Sequence, residues 1–457
     1  METRLTKKYN VATAISMVVG IVIGSGVFFK AEKILAVTGG NVVLGIVAWV
    51  IGGLIMLICT YAFSGLASRY EYVSGLVDYA EAAMGKTYAY YVGWFMCLVY
   101  YPTLAAALSW VSARYVCLLL GLPPDGGGAL SITAFFLIAS FFVNTLSPIL
   151  AGKVQVACTV IKLIPLVCMG IFGISIGVYK GILADNLLSP PLQNINPTKG
   201  LLSALAATAF AYDGWIVATC INAELHNAKK NLPRALMIGT VIVISVYILY
   251  YLGLFGASPK NVLAQGGEQG ITTAFTSLFS NIGGSLLFVF VIISCLGSLN
   301  GIMMGCARGL YSLAIRGEGP RPSMFSQVDS ATNVPVNSAI WGLFVTVCWL
   351  LYYYGATLGG WFSGYGFDIT ELPIITMYGS YIPIFLMIIK KEKTLTTFHR
   401  YIVPILAVVS CLFMITAACL SHKQEVIWYL LVFICLMLPA VYYNRRKKKG
   451  LNTNKPL

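Results

Sequence analysis

The sequence predicts an all-α membrane protein with twelve transmembrane helices, and two observations lead to that fold class. Hydrophobic residues make up 58% of the 457 residues, charged residues only 10%, and the mean hydropathy is +0.82. A soluble domain has roughly 25% charged residues. The apolar segments are continuous rather than alternating, so helices are expected and not a β-barrel. At about 20 residues per span plus loops, a chain of this length accommodates a dozen spans.

Twelve apolar segments follow one another along the chain and are interpreted as spans 1 to 12. No segment between them suggests a soluble domain, so residues 1–457 are expected to form a single transmembrane domain. Their approximate bounds are 11–30, 42–64, 88–119, 129–147, 154–178, 201–221, 236–257, 284–312, 336–356, 367–389, 401–421 and 426–443.

The positive charges indicate the orientation of these spans. The net charge of +14 could suggest a nucleic-acid-binding protein, but the charges lie in short clusters beside apolar segments, so no nucleic-acid partner is expected. Lys and Arg are about threefold more frequent in the connections on the side of the N-terminus, which is the positive-inside pattern. Both termini are therefore predicted to be cytoplasmic, and the lipid bilayer is the surrounding partner.

Two spans carry signals of an interrupted helix. Gly24, Ser25 and Gly26 lie within span 1, where each glycine costs about 0.5–1 kcal/mol relative to Ala. Asp213 and Gly214 lie within span 6. Backbone groups freed at membrane depth are tolerated where they line a cavity, and a half-helix N-terminus there suits a carboxylate. The alternative is two unrelated helices that simply tolerate glycine, which is common in membrane helices.

The positions of the two breaks predict an internal repeat. They fall in the first span of each half of a five-plus-five arrangement, and an odd number of spans makes the second half inverted. Interrupted segments at corresponding positions indicate a transporter site near the midplane. The repeats are expected at approximately 10–180 and 200–390, followed by two extra helices at approximately 400–443 and a short basic tail, 444–457.

Two ionisable residues lie at membrane depth and are candidates for function by default. Lys162 lies about nine residues into span 5 and is expected to face a cavity or to bind backbone carbonyls, as a cation in place of a bound Na⁺. Snorkelling to the interface is its alternative. Asp213 would favour a cationic ligand if it faces the cavity, whereas a helix-capping role would carry no information about the ligand.

Other residues of the breaks and of span 8 complete the candidates. The Ser25 hydroxyl, beside the Gly26 amide, is expected to hold a carboxylate. Phe210 is expected either to close over a ligand or to pack in the core. Arg308 is expected to snorkel to the cytoplasmic interface. Glycines recur every fourth residue in span 8 and predict close helix packing, at Gly297, Gly301, Gly305 and Gly309.

No pattern in the sequence indicates an enzyme, a cofactor or a metal site. The twelve cysteines lack the paired spacing of a metal site or a disulfide framework and are interpreted as packing residues. Residues 173–177 match G-x-S-x-G, but a nucleophile elbow needs a strand-to-helix turn, and this match lies in an apolar helix.

Several motifs together resemble the amino acid–polyamine–organocation (APC) superfamily and, within it, the L-type amino acid transporter (LAT) family. The resemblance covers nearly the whole chain and is closest to bacterial alanine–serine–cysteine exchangers. Its motifs are Gly20–Phe28 in span 1, Phe210–Trp215 followed by Glu224 in span 6, Lys229–Arg234 after it, Tyr101–Thr103 in span 3, Ser294–Asn300 in span 8 and Leu372–Ile375 in span 10.

The resemblance implies Na⁺-independent exchange of small neutral L-amino acids by alternating access, in a bacterial inner membrane. It implies that Ser25 and the Gly26 amide hold the substrate carboxylate and that Phe210 is a gate. It implies that the carbonyls of Val22, Phe210 and Asp213 hold the amino group. Lys162 matches the lysine that takes the place of a sodium ion and touches the unwound part of span 1.

Departures from the family pattern leave alternatives open. The loop 121–128 between spans 3 and 4 has no cysteine, so no disulfide-linked heavy chain is expected. Asp213 resembles the branch that prefers cationic amino acids or cystine. A proton-coupled symporter, in which Lys162 releases its proton, is the main alternative mechanism. A membrane sensor that binds without transport is a third possibility, although a tail of fourteen residues is too short for an output domain.

Overall fold

The computed structural model describes residues 4–265, 268–357, 359–362 and 365–448 and is helical almost throughout. In this part of the chain the only β-type pairing is an isolated bridge between Tyr9 and Leu225. Eleven of the described helices are long and apolar enough to cross a membrane, and the shorter apolar helix Val11–Val22 begins span 1. The predicted all-α membrane fold is confirmed.

Spans 1 and 6 are each built from two helices, and the other spans are continuous. Their bounds are Val11–Val22 and Gly26–Val37 (span 1), Val42–Ala67 (2), Lys86–Leu120 (3), Gly127–Leu146 (4), Pro148–Tyr179 (5), Pro197–Ala211 and the 3₁₀-helix Trp215–Glu224 (6), Ala228–Ala257 (7), Gly283–Ala314 (8), Val336–Thr357 (9), Pro373–Lys391 (10), Phe398–Ser421 (11) and Glu425–Lys448 (12). Short helices lie in the connections at Gly75–Met84, Ile182–Leu188, Lys260–Gln265, Glu268–Phe279 and Pro322–Phe325.

Four boundaries differ from the prediction by six residues or more. Span 5 begins at Pro148 rather than near residue 154, and span 7 begins at Ala228 rather than near residue 236. The other two differences, in spans 1 and 10, have identifiable reasons. Span 1 continues to Val37 rather than ending near residue 30, because Lys30 and Lys33 are good helix formers and bond to a carboxylate. Span 10 begins at Pro373 rather than near residue 367. A proline suits the first turn of a helix because the amide that it lacks has no intrahelical acceptor there.

The glycine face of span 8 packs against three other spans, which confirms its predicted structural role. A methyl group at Gly297 would lie 2.6 Å from Cys158 of span 5, and one at Gly301 would lie 2.6 Å from Ile21 of span 1. One at Gly309 would lie 2.6 Å from Cys97 of span 3. Span 8 therefore holds the break in span 1 close to spans 3 and 5.

Both ends of the described chain lie on the same side of the bundle. Lys8 donates to the Asn333 carbonyl at 2.9 Å, and Lys447 forms an ion pair of 2.6 Å with Glu318. Asn333 and Glu318 belong to the same connection, between spans 8 and 9. We call this side of the membrane the terminal side and the opposite one the far side.

Candidate functional site

The two interrupted spans break at the same place in the bundle. Span 1 ends its first helix at Val22 and resumes at Gly26, and Ile23 between them is non-helical. Span 6 ends at Ala211 and resumes after Gly214. Gly214 has φ +99° and a methyl group on it would lie 2.9 Å from Ile21, so a residue with a side chain would be strained there.

A small cavity of about 70 Å³ lies between these breaks and spans 3 and 8. It brings together all the residues predicted to bind substrate or to break a helix, and Lys162 and Arg308 lie outside it. Its walls are mostly apolar, so the few polar groups are concentrated on the breaks. The lining residues are Ile21, Val22, Gly24, Ser25, Gly26, Leu104, Ala107, Leu108, Val111, Phe210, Ala211, Asp213, Gly214, Ile302 and Thr370.

The second helix of span 1 presents its N-terminus to this cavity. It begins at Gly26, with Ser25 immediately before it, and both residues line the cavity. Unpaired amides and the helix dipole at such an N-terminus favour an anion. The arrangement can therefore bind a carboxylate through backbone amides and the Ser25 hydroxyl.

Two of the three carbonyls that the family resemblance assigns to an amino group already accept hydrogen bonds. The Val22 oxygen accepts from the Gly24 amide at 2.9 Å and from the Tyr247 hydroxyl at 3.0 Å. The Phe210 oxygen accepts from the Asp213 amide at 3.2 Å. An incoming ammonium group would have to share these oxygens with the existing donors.

Tyr247 of span 7 is a site residue that sequence reasoning missed. Its hydroxyl lies 3.0 Å from the Val22 oxygen and 2.9 Å from the Ala211 oxygen. The single hydroxyl proton is shared between these two oxygens. Tyr247 therefore connects the ends of the first helices of spans 1 and 6. A tyrosine in an apolar span gives no local signal of such a role, because the two carbonyls become its neighbours only in the folded bundle.

Lys162 lies directly behind the break in span 1 and is completely buried. Its ammonium group donates to the carbonyls of Gly20, Ile23 and Ser294, each at 2.7 Å, and lies 3.2 Å from the Ser298 hydroxyl. Three carbonyl acceptors match the three donors of an ammonium group. The side chain does not snorkel: it is fixed on the unwound backbone.

Two serines of span 8 complete the contacts of the unwound segment. The Ser298 hydroxyl lies 2.7 Å from the Gly20 oxygen, and the Ser294 hydroxyl lies 3.0 Å from the Ile23 oxygen. In the sequence, these serines are distinguished only as members of the family motif Ser294–Asn300. Because spans 5 and 8 both bond to the same backbone, a movement of the first helix of span 1 relative to both spans must break these contacts together.

Asp213 is held at the cavity by span 3. Its carboxylate accepts a hydrogen bond of 2.7 Å from the Tyr100 hydroxyl, and both side chains are buried. Tyr100 lies in a π-helical turn, Met96–Tyr100, and π-turns occur often at functional sites. Asp213 thus lines the cavity with one of its oxygens already hydrogen-bonded.

On the far side of the cavity, an ion cluster lies above Phe210. We call Lys30, Lys33, Glu371 and His422 the far cluster. Glu371 pairs with Lys30, with Lys33 at 3.4 Å and with His422 at 2.7 Å, and the Lys30 ammonium lies 4.8 Å from the Phe210 ring centre. Burial would raise the pKa of Glu371, but the His422 hydrogen bond and the two lysine charges hold it well below its ordinary value. The same hydrogen bond raises the pKa of His422.

On the terminal side, a second ion cluster joins spans 6 and 8 to the N-terminal segment. We call Lys8, Glu224 and Arg308 the terminal cluster. Arg308 pairs with Glu224 through two nitrogens, and Lys8 lies 2.7 Å from the same carboxylate. The amides of Lys8 and Tyr9 both donate to the Glu224 carbonyl. The expectation that Arg308 snorkels is wrong: it is 3% exposed, because a buried carboxylate offers it a better partner than the interface.

Other possible chemistries find no support in the described residues. No group of three or more His, Cys, Asp or Glu side chains that could hold a metal occurs in the part of the chain that the structure describes. All twelve cysteines are free thiols.

Comparison with known proteins identifies the family. The family model described as "Amino acid permease" matches residues 9–441. The serine/threonine exchanger SteT of Bacillus subtilis (strain 168) is 27% identical over 98% of this chain and 98% of its own length. The large neutral amino acids transporter small subunit 2 of Homo sapiens is 28% identical over 72% of this chain and 62% of that protein.

Comparison with a solved structure supports the helical membrane fold. The crystal structure of MhsT in complex with L-phenylalanine covers 90% of this chain and 100% of its own, with a TM-score of 0.57 and 16% identity. At this identity the likeness establishes the fold alone. The fold of this chain is therefore the fold of that structure.

The chain is a multi-pass membrane transporter. It belongs to the amino acid permease family, within the APC superfamily to which its exchanger and LAT relatives also belong. The resemblance drawn from the sequence motifs is confirmed, and the relatives are permeases rather than enzymes. Their names support amino acid exchange as the activity.

Proposed function

We propose that the protein is a Na⁺-independent exchanger of small neutral L-amino acids that works by alternating access. One observation carries the proposal: the Lys162 ammonium lies on the carbonyls of Gly20 and Ile23, at the unwound part of span 1. In transporters with broken helices, unwound carbonyls of this kind coordinate Na⁺. A covalently attached cation at this place removes the need for a sodium ion.

The substrate is bound as a zwitterion between the two breaks. Its carboxylate lies at the Gly26 amide and the Ser25 hydroxyl, and its ammonium group shares the carbonyl oxygens of Val22, Phe210 and Asp213. The cavity of about 70 Å³ and its apolar wall favour a short uncharged side chain, such as that of alanine, serine or cysteine. Phe210 separates the bound substrate from the far cluster.

Exchange follows if the empty carrier changes orientation slowly. The bound zwitterion is held by both broken helices at once, so its presence lowers the barrier between the two orientations. Without a substrate the Lys162 and Ser298 contacts hold the first helix of span 1 in place. Each amino acid that is carried inward must therefore be followed by one that is carried outward when the carrier returns.

The surroundings of the protein follow from the same proposal. It lies in a cell membrane, the bacterial inner membrane, with both termini in the cytoplasm, because the Lys and Arg excess is on the terminal side. It functions without a disulfide-linked heavy chain, since the connection between spans 3 and 4 offers no cysteine.

The test is uptake of radiolabelled alanine into proteoliposomes in Na⁺-free buffer, with vesicles either preloaded with unlabelled alanine or empty. Uptake into the preloaded vesicles alone is expected. Equal uptake into empty vesicles contradicts exchange, and if an imposed pH gradient drives it, the protein is a proton-coupled symporter. A requirement for Na⁺ contradicts the role given to Lys162.

The Lys162→Ala variant sharpens the test. Removing the ammonium takes one charged donor from each of three buried carbonyls and leaves the serine hydroxyls of span 8 as their remaining side-chain donors. Exchange is expected to fall by at least about tenfold, the equivalent of roughly 1.4 kcal/mol. Lys153→Ala is the matched control, because Lys153 is an exposed lysine of the same span. Exchange by Lys162→Ala at the level of the control would contradict the proposal.

A transporter that prefers cationic amino acids is the second candidate, and Asp213 is the observation that favours it. An ionised carboxylate on the cavity wall would attract a cationic side chain. Competition of alanine uptake by arginine and lysine decides between the two. Strong competition that is lost in Asp213→Asn would establish the cationic preference, whereas competition by serine and cysteine alone supports the neutral one.

A further inference from the structure

A second, much larger cavity opens away from the substrate site. Its volume is about 740 Å³, and its walls come from span 3, the connection between spans 8 and 9, span 9 and span 12. This volume lies within the range of roughly 300–1,000 Å³ found for small-molecule sites. None of its lining residues lines the cavity between the broken helices.

The wall of this cavity presents almost only hydrocarbon surface. The indole N–H of Trp94 donates to the Leu436 carbonyl at 3.1 Å, and that of Trp349 donates to the Leu98 carbonyl at 2.7 Å. Their polar atoms are therefore already bonded, and the rings remain as apolar surface. An occupant of the cavity must itself be mainly apolar.

The cavity extends along one half of the membrane. On span 9 it reaches from Trp341, near the terminal-side end, to Tyr352. Eleven residues at 1.5 Å each correspond to about 16 Å, which is about half of a hydrocarbon core of roughly 30 Å. This length equals one leaflet, and so it matches the acyl chains of a lipid on the terminal side.

Positive charge marks the mouth of the cavity at the level of the lipid headgroups. Arg321 lines the mouth and is exposed, and its guanidinium forms no ion pair among residues 4–448 as far as the structure describes them. Its backbone is left-handed at φ +40°, a conformation that costs free energy for a residue with a side chain. Arg445 and Arg446 follow the lining residue Tyr443 by less than one helical turn.

We propose that this cavity binds an anionic phospholipid of the terminal-side leaflet, with the acyl chains between spans 3, 9 and 12 and the headgroup phosphate on Arg321. Basic pockets between transmembrane helices recognise anionic headgroups in this way. The site is independent of the proposed substrate and of its mechanism. Cys348 and Cys435, both exposed, lie on opposite walls that the acyl chains would cover.

The experiment is a titration of the purified full-length protein with phosphatidylglycerol or phosphatidylcholine of identical chains, followed by native mass spectrometry. Tighter binding of phosphatidylglycerol is expected. Arg321→Gln should weaken it by about fivefold, since one basic residue near the surface contributes about 1 kcal/mol, and Arg321→Lys should retain it. Cys348→Trp, which fills the cavity, should reduce binding of both lipids.

Arg234→Gln is the matched control, because Arg234 is an exposed cation of span 7 that does not line the cavity. Equal binding of the two lipids by the wild type, or equal weakening by Arg234→Gln and Arg321→Gln, would overturn the headgroup assignment. Unchanged lipid binding by Cys348→Trp would overturn the acyl-chain assignment. A dimer that forms in place of the lipid complex would show that a second copy of the chain covers this face.

Discussion

Ion clusters flank the cavity between the broken helices on both sides of the membrane, and they differ in burial and in chemistry. In the terminal cluster, Glu224 is 0% and Arg308 3% exposed. In the far cluster, the side chains of Lys30 and His422 are 17% and 15% exposed. Breaking a buried pair leaves an uncompensated charge in a low dielectric, whereas water and salt screen a partly exposed one.

The two clusters also differ in their response to pH. The terminal cluster consists of a lysine, an arginine and a glutamate. The far cluster contains His422, whose pKa is raised above the ordinary histidine value by its hydrogen bond to Glu371. We infer that the terminal side is held shut more strongly and independently of pH, and that the far side is weaker and adjustable. Four predictions test this comparison.

The largest effect is expected for Glu224→Gln. The substitution removes the counter-charge of Arg308 and Lys8 while their positive charges remain buried, which typically costs about 3–5 kcal/mol. Thermal unfolding of the purified variant measures the loss. Glu318→Gln is the control, since its partner Lys447 is 41% exposed, and almost no change is expected. A melting temperature of Glu224→Gln within a degree of the control would contradict the asymmetry.

Glu371→Gln is expected to have a smaller effect, about 1–2 kcal/mol, because its partners are partly exposed. Loss of this carboxylate removes the contact between span 1 and the connection before span 10. Opening to the far side then becomes easier, and the apparent affinity for alanine should rise on that side and fall on the other. Uptake into vesicles of the two orientations measures both affinities. Equal shifts on the two sides would mean that Glu371 only stabilises the fold.

The pH dependence of the far cluster should come from His422. Its raised pKa means that the bond to Glu371 contributes fully below the ordinary histidine value of 6.5 and is lost as pH rises through the raised pKa. Glu371, with its lowered pKa, stays ionised over this range. The difference in melting temperature between wild type and His422→Gln should be larger at pH 6 than at pH 9. A constant difference would refute this assignment.

The smallest effect on stability is expected for Lys33→Gln, in the far cluster. Lys33 is 50% exposed and 3.4 Å from Glu371, whereas Lys30 is 17% exposed and contacts Phe210. Lys33→Gln should change stability by no more than about 0.5 kcal/mol, and Lys30→Gln by more. Melting temperatures of the two variants, compared at low and high salt, test the order. A larger loss for Lys33→Gln would mean that proximity to Phe210 contributes nothing.

The comparison also shows why some contacts were predictable and others were not. The two helix breaks were predictable from local sequence. Gly24, Ser25 and Gly26 contradict helix propensity within an apolar segment, and Asp213 and Gly214 mark the break in span 6. The ion pairs of the terminal cluster were not predicted from the sequence. Arg308 lies 84 positions from Glu224 along the chain, and nothing near either residue indicates the other.

The contacts of Tyr247 could not be predicted from the sequence either. It bonds to carbonyls of Val22 and Ala211, which come from two different spans. Backbone carbonyls are present at every position, so a sequence contains no signal that singles out these two. The boundaries of the two repeats stay a prediction, because the contacts described above do not depend on where each repeat begins.

By itself the sequence determined that this is a helical membrane protein with two interrupted spans and a deep lysine. Apolar composition, helix-breaking residues and an intramembrane charge each act locally, through the free energy of placing those residues in lipid. Only the tertiary structure decided what Lys162 bonds to, that Arg308 is buried, and that Tyr100 and Tyr247 hold the breaks. These are contacts between distant segments, and packing of the whole bundle selects them.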